Sequence, residues 1–239
     1  SVPNVPSIAS TIRANPSAGF SICTYTGTSL NAGGTVGHGL GSAPELIIAK
    51  SRTATNRWGV YTKTTGKDQY LLLDLNNAAQ TSSGVWGSSE PTSAVFGTDS
   101  NYPSTNIDGD IVAYCFAPVA GYSAMGSYTG NGSDDGPFIY TGFKARWIMI
   151  KSYYASNPNS HNNWNIYDTA RDTGNEAQTL LLAMSPNPEF TNGSGYTEID
   201  FLSNGFKLKA DSGGYSNYNT NQYIYLAFAE HPFKTARAR

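Results

Sequence analysis

Two acids in EIDFLS (198–203), Glu198 and Asp200, come closest to a catalytic pair in this 239-residue chain. Retaining glycoside hydrolysis needs two carboxylates held ~5 to 5.5 Å apart, one as nucleophile and one as acid/base. No acid follows Asp200 in this segment, and the corresponding stretch of the first half, 93–97, holds none at all. We therefore expect a solvent-facing pair of strand carboxylates and no catalysis. The other candidates weaken in the same way. GYSAMG (121–126) places its second glycine one residue too late for a G-x-S-x-G nucleophile elbow. His38, His161 and His231 stand in unrelated contexts with no cysteine or carboxylate at metal-ligand spacing, and His38 in GHGLG reads as a turn residue. The pairs Asp108/Asp110 and Asp134/Asp135 fall in NIDGD and NGSDDG without the D-x-D-x-D-G spacing of a calcium loop, and read as Asx-type turns. GGTVGHGLG (33–41) lacks the Lys-Ser/Thr of a phosphate loop and reads as a turn-rich strand connection. The chain is expected to be no enzyme and to carry no metal and no cofactor.

What positions these residues is a duplicated scaffold. GFSICTYTG (19–27) returns as GYSAMGSYTG (121–130), PELIIAKS (44–51) as ARWIMIKS (145–152), RWGVY (57–61) as NWNIY (163–167), and DIVAYCFA (110–117) as QYIYLAFA (222–229), all in the same order. A unit of about 100 residues is the size of one compact domain. The reading is a lead-in tether over 1–18, one β-sandwich over 19–117, a second over 121–233 and a basic tail over 234–239, with a linker of three residues, 118–120, holding the two rigidly. The alternative is one fused concanavalin-like jelly roll.

Composition agrees with an all-β chain. Charged residues make up only 13%, and Gly, Ser, Thr, Asn and 16 tyrosines dominate short segments divided by turn formers. The expected strands of copy one are 21–26, 45–50, 58–62, 70–75, 94–97 and 111–117. In DIVAYCFA both faces carry apolar groups, which marks a central strand. FLSNGFKLK (201–209) reads as a hairpin with a type I′ turn at Asn204-Gly205. The formal net charge of -2 and the scattered basic residues leave no basic face for nucleic acid. No stretch approaches the ~20 apolar residues that span a bilayer, so membrane insertion is not expected. Cys23 and Cys115 lie on the first and last strands of copy one and both vanish in copy two, as spatial neighbours would. The other reading is two buried thiols packed as small hydrophobes.

The copies differ in two places. Lys50 to Trp58 is an interval of eight residues and Lys151 to Trp164 one of thirteen, while Trp58 to Phe116 is 58 and Trp164 to Phe228 is 64. The added stretches fall in SYYASNPNSHNNW (152–164) and best fit SGGYSNYNTNQY (212–223), whose Tyr, Asn, Ser and Gly suit adaptable recognition loops. Ligand contact is assigned to Tyr153, Tyr154, Asn163, Tyr215 and Tyr218, with flat aromatics for the C–H faces of a sugar and neutral groups for its hydroxyls. The alternative is that these are merely solvated loops.

Two family resemblances follow. EIDFLS is similar to the E-I-D-x-(x)-E strand of laminarinase-like glycoside hydrolases, themselves β-sandwiches, but the last Glu is missing. RANPSAGFSICTYTGT, GHGLGSAPELIIAK, DIVAYCFAPVAGYSAMGSYTGNG and IDFLSNGFKL together resemble the repeated β-rich module of tail fibres and other virion proteins of tailed phages, especially marine phages and cyanophages, from about Arg13 onward. That resemblance implies a virion location, other virion subunits as partners, a homo-oligomer for which a trimer is one form, and a host-surface glycan or protein as ligand. It brings no catalytic residues. Competing readings are a carbohydrate-binding module of non-viral origin and a degenerate polysaccharide hydrolase.

Overall fold

Burial alternates with period two along several strands of this computed structural model, as it must where one face of a strand packs on a core. In the strand Gly109–Phe116, for example, Ile111, Ala113 and Cys115 are fully buried and the residues between them are half-buried. The structure describes residues 4–29, 33–99, 105–155, 162–191, 197–210 and 215–232. Among these there is no α-helix, and the fold is all-β, with antiparallel sheets of the sandwich type.

Two compact units make up the chain, one of Ser1–Asp74 and Ala79–Pro118, the other of Leu75–Ala78 and Val119–Arg239. Unit 1 holds β1 (Ser10–Asn15), β2 (Phe20–Gly27), β3 (Gly34–Gly37), β4 (Leu46–Ser51), β5 (Gly59–Thr62), β6 (Gln69–Leu72), β7 (Gln80–Thr81), β8 (Val95–Thr98) and β9 (Gly109–Phe116). Unit 2 holds β10 (Ser123–Thr129), β11 (Phe138–Tyr140), β12 (Ala145–Tyr154), β13 (Trp164–Asp168), β14 (Thr179–Leu182), β15 (Phe190–Thr191), β16 (Ile199–Leu202), β17 (Gly205–Leu208) and β18 (Gln222–Ala229).

Strand order carries the duplication into three dimensions. The large sheet of unit 1 runs β1-β2-β9-β4-β5-β6-β7 and that of unit 2 runs β10-β18-β12-β13-β14-β15. Apart from β1, each position of one is filled by the matching repeat segment of the other. The small sheets, β3-β8 and β11-β17-β16, correspond as well. Unit 2 closes its own core, in which Ile148, Ile150, Tyr167, Tyr223 and Ala227 of the large sheet meet Ile139, Ile199, Phe201, Phe206 and Leu208 of the small one. In unit 1 the Tyr25 and Phe96 rings meet at 6.3 Å across the same gap between sheets.

One piece of each unit is fastened identically. The Tyr25 hydroxyl donates to the Thr105 carbonyl at 2.7 Å, and the Tyr128 hydroxyl to the Ser216 carbonyl at 2.7 Å. Buried Asn106 accepts the Thr28 N–H at 2.9 Å, and buried Asn217 the Asn131 N–H at 3.0 Å. Gly27 and Gly130, between these anchors, have no room for a side chain: a Cβ would lie 1.8 Å from the Ile107 carbonyl oxygen and 2.3 Å from that of Tyr218. The Tyr-Thr-Gly landmark is thus a structural clasp that ties the first strand of each copy to the approach of its last.

Three expectations are corrected. The lead-in over 1–18 is no free tether: β1 pairs along its length with β2, and Ser7 and Ile8 both donate their N–H to the Thr35 carbonyl of β3 at 3.0 Å. It lacked an apolar period because an edge strand exposed on both faces has none to show. GGTVG contains β3 rather than only a connection. The β16–β17 hairpin forms, but Leu202 pairs with Gly205, so Ser203 and Asn204 are its central residues, and neither has the positive φ of a type I′ turn. Gly205 is required for another reason: a Cβ there would lie 2.1 Å from the Ile139 carbonyl oxygen and 2.9 Å from the Phe138 ring.

Candidate functional site

Strand register decides which loops become neighbours in unit 2. Lys151 on β12 pairs with Trp164 on β13 and Ile224 on β18, Asn165 pairs with Leu182 on β14, and Thr129 on β10 pairs with Gln222. The end of β12, the start of β13, the end of β14 and the start of β18 therefore lie at one end of the sheet. The stretches 152–164 and 212–223 both arrive there, although residues 156–161 and 211–214 lie outside the described residues. The second length gain is corrected: Val60 pairs with Leu71, an interval of 11, and its match Ile166 with Leu181, an interval of 15, so four of the six added residues fall in the β13–β14 turn and not in 212–223.

The five expected ligand residues take different places at this end. Tyr154 is exposed at 54%. Tyr153 is half-buried, with its hydroxyl donating to Gln222 Oε1 at 2.6 Å. Burial pushes the Tyr153 phenol above its ordinary value. Tyr215 packs at the margin of the core and lines a cleft of about 360 Å³ together with Leu182, Asn187, Pro188 and Glu189. Tyr218 belongs to the clasp, because its N–H meets the Tyr223 hydroxyl at 2.9 Å and its carbonyl stands over Gly130. Asn163 is buried and presents no face to a ligand. The second loop is thus half structural: Ser216 and Asn217 match Thr105 and Asn106 of copy one, a correspondence masked in sequence by the exchange of Ser for Thr.

The cleft has a defined wall. Arg171 donates to Glu189 Oε2 at 3.3 Å, to Asp168 Oδ2 at 2.6 Å and to the Ile166 carbonyl at 3.1 Å, which fixes the carboxylate at the rim. Asp168 sits below the usual carboxylate range: its hydrogen bonds from Arg171 and Ala170 and the Arg171 charge outweigh burial, the largest single influence and an opposing one. Behind the cleft, Asn165 donates to the Tyr215 carbonyl and to Ser216 Oγ, both at 3.1 Å, while its Oδ1 is buried with no partner among the described residues. A buried acceptor of this kind is normally satisfied by water or ligand. One aromatic ring, an aliphatic floor, an amide and a carboxylate suit a ligand with apolar faces and hydroxyl edges.

Beneath the same end lies Lys151, fully buried. Its ammonium donates to the carbonyls of Asn77 at 2.8 Å, Asn76 at 3.3 Å and Asn162, and stands 5.9 Å from the centroid of the Trp164 ring. Burial pushes its pKa down to about 7. All three acceptors are backbone atoms, so the lysine pins loops in place and is not available to a ligand. Its counterpart, Lys50, does the same in miniature, donating to the carbonyls of Ser51 at 2.9 Å and Ala54 at 3.3 Å from a partly exposed position.

The remaining chemical candidates are structural as well. Glu198 is buried rather than solvent-facing, and its Oε2 accepts the Thr197 N–H at 3.0 Å. His38 is fully buried as well, with Nδ1 accepting the Leu40 N–H at 3.3 Å and Nε2 donating to the Thr92 carbonyl at 3.1 Å. Cys23 and Cys115 are buried free thiols on adjacent strands, Cys23 opposite Ala113 and Cys115 opposite Ser21, so they are diagonal neighbours. Among the described residues no group of three or more His, Cys, Asp or Glu is arranged to hold a metal ion.

A family model described as a domain of unknown function, DUF7483, matches residues 2–232. The chain belongs to the DUF7483 family. No curated protein and no solved structure is significantly similar to it. This DUF7483 chain therefore has to be read from its own geometry.

Proposed function

We propose that this DUF7483 chain is a non-catalytic structural module of a tailed-phage virion, part of a tail fibre or similar surface appendage, and that its second unit contacts the host cell surface. The virion setting rests on the motif resemblance described above. The observation that carries the contact role is the meeting of the enlarged stretch 152–164 with the stretch 212–223 at one end of unit 2, where Tyr215 lines a cleft with Leu182, Pro188 and the fixed carboxylate of Glu189. A hydroxyl-rich surface glycan suits that lining.

Binding of the purified chain to host cells and to a panel of bacterial surface polysaccharides tests the reading. Tyr215→Ala is expected to weaken binding roughly tenfold, since an aromatic contact contributes about 1 kcal/mol beyond the area it buries. Tyr153→Ala and Tyr154→Ala should weaken it less. Unchanged binding in all three variants sinks the assignment of this end. Antibody labelling of intact phage particles tests the location separately, and absence of label would favour the non-viral carbohydrate-binding module.

A further inference from the structure

The two copies differ most at the edges of their sheets. In unit 1 the lead-in runs first beside β3, with Ile8 bridged in parallel to Val36, and then as β1 beside β2, so one segment closes the edges of both sheets. Among the described residues unit 2 has no such segment. β9 ends at Phe116 and β10 begins at Ser123, and the residues between them are used in a turn in which Tyr122 and Ser123 both donate to the Val119 carbonyl at 2.9 Å. Among the described residues β10 pairs only with β18, and β11 only with β17.

The open edge of β11 is shaped like the occupied edge of β3. Val36 pairs with Phe96 and Ile139 with Phe206, so Thr35 corresponds to Phe138 and Gly37 to Tyr140. Leu208 donates to the Pro137 carbonyl at 3.1 Å and Thr141 to the Asn204 carbonyl at 3.0 Å. By the alternation of an antiparallel ladder, Phe138 and Tyr140 then turn their backbone N–H and C=O away from β17, as Thr35 turns its carbonyl to Ser7 and Ile8. Their side chains are 46% and 68% exposed, whereas β3 is shielded by its lead-in: a Cβ on Gly34 would strike Ile8 at 2.5 Å. Unpaired edges with exposed aromatics are a template for another strand.

We propose that unit 2 is completed by an extended segment of a partner polypeptide with the chemistry of the chain's own lead-in. This segment lies parallel to β11 with a β-branched residue beside Ile139, and continues antiparallel along β10. The chain's own lead-in is already engaged in unit 1, so it is not the occupant. The inference does not depend on the host-contact reading, because β10 and β11 bear assembly and the Tyr215 cleft bears ligand.

The test adds a synthetic peptide of residues 4–15 to the full chain and follows amide exchange. Saturating peptide is expected to slow exchange roughly tenfold in Ser123–Thr129 and Phe138–Tyr140, and a scrambled peptide should not. Tyr140→Pro, which removes only an outward N–H and is tolerated on an edge strand, should abolish that protection. The double change Phe138→Ser and Tyr140→Ser, which keeps the backbone donors, should weaken it. No slowing at millimolar peptide overturns the proposal, and so does protection that appears on β2 and β3 instead. Concentration-dependent self-assembly that already protects β10 and β11 would assign the edge to a second copy. Oligosaccharide binding lost on removing Phe138 and Tyr140, with no peptide effect, would assign it to a glycan.

Discussion

Set side by side, the two units show which repeated residues serve the fold and which positions were free to change. The clasp of Tyr, Gly and Asn is the same in both, down to hydrogen bonds of 2.7 Å from Tyr25 and Tyr128. The lysines towards the ends of the matching strands β4 and β12, Lys50 and Lys151, both bind loop carbonyls, but only Lys151 is fully buried and only its loop is enlarged. The small-sheet edge diverges completely, covered at Thr35 and bare at Phe138. The duplicated scaffold keeps what ties its strands together and varies at its loops and sheet edges.

The sharpest way to break this comparison is to put a side chain into the clasp. Gly27→Ala and Gly130→Ala each force a Cβ onto a carbonyl oxygen and should cost on the order of 3 to 5 kcal/mol, with exchange accelerated first in the strands of the altered unit. A cost below about 1 kcal/mol in either would mean that the glycine is repeated without being required.

Next comes the lysine pair. Burial lowers the Lys151 pKa to about 7, well below the 10.5 of a free lysine side chain. Between those two values the unfolded chain binds a proton that the folded chain does not. Stability therefore falls as pH drops from 10 towards 7 and is level below that. Denaturant titrations at pH 9 and pH 7 should differ by about 2 kcal/mol in favour of pH 9, and Lys151→Met should flatten the difference while Lys50→Met leaves it. A parent protein with level stability across this window would show that the three carbonyls hold the ammonium charged.

The smallest effect separates the units on the acid side. Burial holds His38 below the usual histidine value, against the opposing hydrogen bond to Thr92. The unfolded state then takes up a proton first, so unit 1 loses stability as pH falls below 6.5. The matching turn of unit 2 has Thr141 in place of the histidine, donating to the Phe143 carbonyl at 2.6 Å. Exchange at pH 5 against pH 7 should quicken around β3 and not around β11, and His38→Gln should remove the change. Equal acceleration in both small sheets would assign the acid sensitivity to other groups.

The amino-acid sequence by itself determined the all-β class, the duplication and the six central strands of copy one, because apolar alternation and turn residues act over a few neighbours and need no distant partner to be read. It also marked copy two as the elaborated one, since insertions are visible as length. The lead-in strand was not legible: β1 is exposed along both faces, and an edge strand is made by the hydrogen bonds of its partner rather than by its own pattern. Nor was the division of the stretch 212–223 into a cleft wall at Tyr215 and a clasp at Ser216, Asn217 and Tyr218, because that depends on which strand each residue faces. Only the tertiary structure decided those points, together with the burial of Lys151 and Glu198 and the bare edge at Phe138 and Tyr140. Register and strand order bring together residues far apart in the chain, and no local preference encodes which of them will meet.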